Sequence, residues 1–405
     1  MRLPASLAVL REREFALLFW ARAISLFGGS LAPVAVAFAI IDLTGSATDL
    51  GLVLAAHSVP QVVFMLIGGV VADRLPRHQV MVASDVARGL AQIVLAALLF
   101  TGAAEVWMFA AVSAVNGTAS AFFFPASQGI VPQIVSPERL QEANALQRLT
   151  QSMTNIAGAA IGGVLVALIG SSASIAIDGV TFLIGAVLLA VMRVPQLPIK
   201  AQRFLTDLGE GWKEFTARTW LWTIVVAFGV LNAFWVGGMF VLGPLVANRD
   251  LGGAAAWGVV LAGLAAGFFA GGLLSLYYKP QHPLRVGMLA MLLVALPLLA
   301  LALEMPLVVV VLSATVAGLG TEIFGTNWVV TMQTHIPGDV LGRVTAYDAL
   351  GSFLLMPIGF AAIGPLADQI GIDEALCTCV VAIATSTVAT LLVPSVWTLR
   401  RSSPT

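Results

Sequence analysis

Gly69-Val-Val-Ala-Asp73-Arg74-Leu-Pro-Arg77-His78 is a short polar knot between two long apolar runs, residues 50–72 and 80–101. Each run has the length a helix needs to cross a hydrocarbon core roughly 30 Å thick. The acid and the arginines between them belong in water or headgroups, so the two runs read as a helical hairpin turning at one membrane face.

The same alternation extends in both directions. Apolar runs at 15–41, 50–72, 80–101, 106–128, 144–168 and 173–192 are followed by a second set at 220–246, 256–278, 285–303, 307–332, 344–367 and 373–396. The pattern predicts an all-α membrane protein of twelve transmembrane helices. Composition agrees: 59% of the 405 residues are hydrophobic and 10% charged, and mean hydropathy is +0.97, whereas a soluble domain carries about 25% charged residues. A soluble enzyme is excluded. The apolar run from Phe15 follows Arg2, Arg11 and Arg13, but it is too long for a signal peptide and lacks a small-residue cleavage site, so it reads as the first retained span.

The most polar stretch, Arg193 to Thr219, separates the two sets and predicts three parts: a six-helix half over 1–192, a cytoplasmic linker over 193–219 with an amphipathic interfacial helix around Phe204 to Phe215, and a second half over 220–405. An internal repeat at about half the chain length supports the division. Asn116-Gly-Thr-Ala leading to Val131-Pro-Gln-Ile-Val-Ser-Pro137 is matched by Leu319-Gly-Thr-Glu leading to Thr331-Met-Gln-Thr-His-Ile-Pro337. An offset of six spans makes the halves parallel, pseudo-symmetric repeats about an axis along the membrane normal, with a substrate site expected between them near the midplane. Of the 20 Lys and Arg, only Arg249 falls in a loop on the side opposite the termini, and Arg22 and Arg88 lie inside spans. The positive-inside rule therefore puts both termini in the cytoplasm.

The opening motif now carries a resemblance. Gly69, Asp73, Arg74 and Arg77 match the G-x-x-x-D-R-x-G-R-R loop signature of the major facilitator superfamily, at the position that family places it, with Pro76 for its glycine and His78 for a basic residue. Gly158-Ala-Ala-Ile-Gly162-Gly163 resembles the G-P-x-x-G-G signature of the superfamily's drug and proton antiporters, with Ala159 for proline; small residues used in helix packing generally give the same pattern. Ile24-Ser25 with Gly28, Phe123-Phe-Pro-Ala126, Leu140-Gln-Glu-Ala-Asn-Ala-Leu146 and Asp207-Leu-Gly-Glu-Gly-Trp212 are similar to the branch containing macrolide efflux proteins and the enterobactin exporter. Many members of that branch carry an acid after a glycine in the first span, where this chain has Gly28-Gly29-Ser30. A coupling mechanism relying on that acid is reassigned here or absent.

The resemblance implies a secondary active efflux transporter in the inner (cytoplasmic) membrane. It would export hydrophobic or amphipathic small molecules, such as a drug, secondary metabolite or siderophore, by proton antiport and alternating access. Asp73, Arg74 and Arg77 would form a latch that holds one side closed. A lipid or lysolipid flippase or a facilitated importer would use the same scaffold. A membrane-embedded enzyme or a channel is more remote, since no nucleophile elbow, histidine-acid cluster or phosphate loop is present.

Charges inside spans cost several kcal/mol, so each is a candidate for function. Two readings stand for Glu322, mid-span in the tenth run: proton or cationic-substrate binding, or pairing with a buried base. Arg22 faces the cavity, pairs with an acid such as Glu322 or Asp348, or snorkels to the interface. Asp178, Asp348 and His57 complete the proton-coupling candidates, each with a structural alternative. Asp85 and Arg88, three apart, read as a local ion pair. Substrate-cavity candidates are Asn116, Phe122, Phe123, Asn232, Trp235, Asn327 and Trp328, aromatics and amides suited to a bulky amphipathic ligand, with packing or lipid contact as the alternative for each. Cys377 and Cys379, two apart, point to different helix faces and read as packing residues. No metal, no cofactor and no nucleic acid is expected; the expected partners are a small-molecule substrate, protons and membrane lipids, and the expected state is a monomer.

Overall fold

The computed structural model describes residues 9–194 and 212–401, apart from the surroundings of a few helical residues that include Gly69 and Asp73. No strand occurs among these residues. Among the described residues, eleven continuous helical stretches are long and apolar enough to cross a membrane. One of them, Ala160–Ala190, belongs to a longer helix, Leu140–Ala190, that is broken at Gly170, whose φ of 82° and ψ of 165° no helix contains. Divided there, the described residues form twelve long helices, the number of apolar runs in the sequence.

The helices are α1, Arg13–Thr44; α2, Ala47–Arg74; α3, Arg77–Phe100; α4, Val106–Ile134; α5 and α6, residues 140–169 and 171–190. The later ones are α7, Thr219–Leu251; α8, Ala254–Tyr277; α9, Pro283–Ala302; α10, Leu307–His335; α11, Val340–Ile370; and α12, Ile372–Leu391. A terminal turn, Pro394–Thr398, follows. By contacts the chain divides into two compact units, one formed by Met1–Thr44 with Leu52–Ala201, the other by Gly45–Gly51 with Gln202–Thr405. The linker helix expected around Phe204 to Phe215 falls mostly outside the described residues, of which 212–216 are helical.

Proline explains the irregular turns. Pro297 has no N–H to give the carbonyl four residues back, and α9 tightens to a 3-10 turn over Leu292–Ala295 just before it. In α7, Pro244 lies between two wide π turns, Gly237–Leu242 and Ala247–Leu251.

With lipid as solvent, burial of apolar surface gives helices little reason to associate, so close packing through small residues does much of the work. In the first unit, a methyl on Gly117 of α4 would run into the His57 carbonyl of α2, and one on Gly68 of α2 into the Ala121 carbonyl. In the second unit, Gly267 of α8 and Gly318 of α10 sit against the Thr315 and Leu264 carbonyls. Arg249, the basic residue that stands apart from the rest, ties the end of α7 to its neighbours: it donates to Asp250 at 2.7 Å, to Glu304 before α10 at 3.2 Å, and to Asp373 at the start of α12 at 3.0 Å.

Candidate functional site

The most concentrated buried polarity lies within the first unit, where α1, α3, α4 and α6 meet. Along α3, Asp85, Arg88 and Gln92 fall at spacings of three and four and so share one face. Arg88 Nη1 lies 3.7 Å from Asp85 Oδ1, and Arg88 Nη2 donates to Ser120 Oγ of α4 at 2.7 Å. Asp178 on α6 joins them: Gln92 Nε2 donates to its Oδ2 at 2.7 Å, and the Arg88 charge acts on both carboxylates. From α1, Ser25 Oγ donates to Asp85 Oδ2 at 3.4 Å. Asp85 and Asp178 are fully buried, with 0% exposure. The Arg88 guanidinium lies between two rings, 5.1 Å from the centre of Phe123 and 5.2 Å from that of Phe182, which shelters the cation on both aromatic sides.

Glycines make room for these groups. A methyl on Gly28 of α1 would stand 2.9 Å from Asp178 Oδ1 and collide with the Thr181 hydroxyl. One on Gly185 of α6 would approach Asp85 Oδ2 to 3.2 Å. The cluster is nonetheless not fully satisfied: Asp85 Oδ1, Asp178 Oδ1, Arg88 Nε and Gln92 Oε1 are buried with no hydrogen-bond partner among the described residues. A buried polar atom left unpaired costs free energy.

The other candidates lie elsewhere. Within the first unit, Arg22 bonds the Gln147 carboxamide of α5. Glu322, half-buried on α10, packs beside Gly271 and Gly272 of α8 and bonds Thr326 one turn along its own helix. Asp348 accepts the Trp328 indole N–H at 3.0 Å and the Ser352 hydroxyl at 3.4 Å. His57 is partly buried on α2.

Of the cavity candidates, Phe123 is a platform for Arg88. Phe122 stacks with Phe64 and lines an apolar cavity of about 510 Å³ between α2, α3 and α4, together with Val71, Leu75 and Val115. Asn116 and Asn327 donate to carbonyls of their own helices, at 2.9 and 2.8 Å. Trp328 is buried against Trp220 and Phe324, Asn232 donates to the Ser352 carbonyl of α11 at 2.9 Å, and Trp235 is partly buried. Among the described residues, no three His, Cys, Asp or Glu side chains gather to hold a metal ion.

Sequence reasoning found Asp178 and the Asp85–Arg88 pair separately and missed that they are one network. Gln92 was overlooked, although its place one turn beyond Arg88 is a readable signal.

A family model described as Major Facilitator Superfamily matches residues 18–360. The chain belongs to this superfamily. Within the superfamily it is 26% identical over 370 residues to macrolide efflux protein A of Streptococcus pyogenes, covering 88% of this chain and 90% of that one. It is 28% identical over 365 residues to the enterobactin exporter EntS of Escherichia coli, covering 87% and 86%. Its fold matches the crystal structure of a bacterial homolog to the human lysosomal transporter Spinster, with TM-score 0.75, 17% identity and coverage of 97% and 99%. This superfamily member is thus a multi-pass membrane transporter and not an enzyme. In its loop signature, Arg77 donates to the Gly129 carbonyl of α4 and Arg74 is exposed, while the surroundings of Gly69 and Asp73 lie outside the described set. In its glycine motif, methyls on Gly158 and Gly162 would meet Ser30 and Leu31 of α1, so the motif presses α5 onto α1; Gly163 is buried beside them in sequence.

Proposed function

We propose that this superfamily member is a proton-driven exporter of hydrophobic or amphipathic small molecules, acting by alternating access in the inner membrane with both termini cytoplasmic. The observation that carries the coupling is the Asp85–Arg88–Asp178 cluster. Two carboxylates around one guanidinium carry a net charge of about −1 when all are ionised, and one bound proton neutralises them. A group that can be neutral or charged inside low dielectric is a natural carrier, because the two states differ strongly in solvation. Asp178 takes the leading part: its free Oδ1 lies against Gly28 of α1, beside the place where many members of this branch bear an acid. Similarity to efflux proteins supports the export direction. The Gly69, Asp73, Arg74, Arg77 loop is assigned to gating.

The test uses inverted vesicles carrying the full chain and holding a preformed pH gradient, challenged with amphipathic drugs and siderophores. Substrate should discharge the gradient, and Asp178→Asn should lower that discharge at least tenfold while labelled substrate still binds. A response lost in Glu322→Gln and intact in Asp178→Asn would move coupling to α10. Substrate movement with no gradient response for any variant would eliminate proton coupling.

A further inference from the structure

We infer that the α8–α9 loop and the terminal turn form a binding site for the phosphate headgroup of an anionic phospholipid. The site lies within the second unit and is independent of the coupling cluster. α8 ends at Tyr277 and α9 begins at Pro283. Between and beside them is a cavity of about 450 Å³ lined by Tyr278, Lys279, His282, Arg285, Val286 and Leu289. The C-terminal segment is fastened to this loop, since the Arg401 backbone N–H donates to the Gln281 carbonyl at 2.8 Å. Trp397 also lies under the Arg285 guanidinium at 4.0 Å. Lys279, Arg285, Arg400 and Arg401 are thereby gathered at one end of the unit.

None of these four cations has an acidic partner among the described residues, in contrast to Arg249 with its three. The sequence accounts for the surplus. The first half places Asp73 four residues after Gly69, and the second half places Leu276 four residues after Gly272. The second loop therefore has basic residues and no acid to occupy them. Stacking on Trp397 fixes the Arg285 plane while leaving its N–H edges unspent, which suits a phosphate oxygen pair.

The surroundings select a lipid over a soluble anion. Leu276, Tyr277 and Tyr278 are 64%, 87% and 50% exposed, an apolar and aromatic rim at the level where a helix leaves the bilayer. Val286 and Leu289 give the cavity an apolar wall beside its cationic one. A ligand with a phosphodiester and an acyl chain meets both, and basic pockets at this depth attract such headgroups.

The test measures lipid binding to the purified full chain by native mass spectrometry, titrating phosphatidylglycerol against phosphatidylcholine. Phosphatidylglycerol should bind preferentially. The double variants Lys279→Gln with Arg285→Gln, and Arg400→Gln with Arg401→Gln, should each bind it roughly thirtyfold more weakly, about 2 kcal/mol. The second pair leaves the Arg285–Trp397 stack intact and so separates charge from folding. Equal binding of the two lipids, or unchanged binding in both variants, would overturn the assignment. Displacement of phosphatidylglycerol by millimolar inorganic phosphate would overturn it too, marking a site for the free anion. No arm measures transport, so failure of the proton-export reading leaves the result untouched.

Discussion

Gly28 and Gly29 are neighbours in α1 with opposite surroundings. A methyl at Gly28 meets the Thr181 hydroxyl and Asp178 Oδ1, whereas the nearest atom to one at Gly29 is Phe182 Cζ, 3.8 Å away. Gly28→Ala should therefore cost about 1–3 kcal/mol through overpacking and should depress gradient discharge. Gly29→Ala should be close to neutral. Thermal unfolding in detergent beside the vesicle assay separates the two, and equal behaviour of the variants would mean that α1 does not press on Asp178. At this scale the sequence was partly legible. The chemistry of Asp85, Arg88 and Asp178 is visible because ionisable residues stand out in apolar runs. Their convergence is not, because periodicity gives the face of α3 but says nothing about which distant helix covers it. Glu322 shows the same limit: a mid-span acid stands out as strongly as Asp178, but only the structure shows that it sits beside Gly271, Gly272 and Thr326.

Among the elements, α5 and α6 depart furthest from expectation. The apolar runs at 144–168 and 173–192 suggest a short loop between them, and the structure gives a single non-helical residue, Gly170. A φ of 82° with ψ of 165° is essentially a glycine conformation, and nothing lies within 4 Å of a methyl placed there. Gly170→Ala should thus destabilise through backbone strain alone, by about 1–3 kcal/mol. Gly325→Ala is the matched control, since it also meets nothing within 4 Å but lies inside helical α10, where alanine is favoured. Denaturant titration followed by circular dichroism should show the first variant weakened and the second unchanged or stronger. Helix ends were less legible than helix existence. The fourth run was read to residue 128, and α4 continues to Ile134, because hydropathy reports the stretch that lipid must cover while a helix continues as far as its backbone bonds allow.

For the molecule as a whole, the distribution of 20 basic residues is the strongest single guide, because it yields an expected orientation without any knowledge of packing. It predicts that a fluorescent protein fused after Thr405 folds and glows in intact cells, while alkaline phosphatase fused there stays inactive. The reverse pattern would invert the topology and place the basic α8–α9 loop on the outer face. Family membership was legible because a loop signature, two sets of six spans and an internal repeat agree. Substrate identity was not, since cavities in such proteins are recognised by shape and by a few polar anchors that helical facing alone cannot order.

The arithmetic of two carboxylates and one guanidinium has an electrical consequence. If each cycle exchanges one proton for one substrate molecule, the substrate's own charge decides whether current flows. Export of a neutral macrocycle moves one positive charge inward per turnover and gains about 2.3 kcal/mol for every 100 mV of membrane potential. Export of a monocation moves no net charge and is indifferent to voltage. The same protein would therefore draw current with one class of ligand on a supported bilayer and be silent with another, without any change in its chemistry.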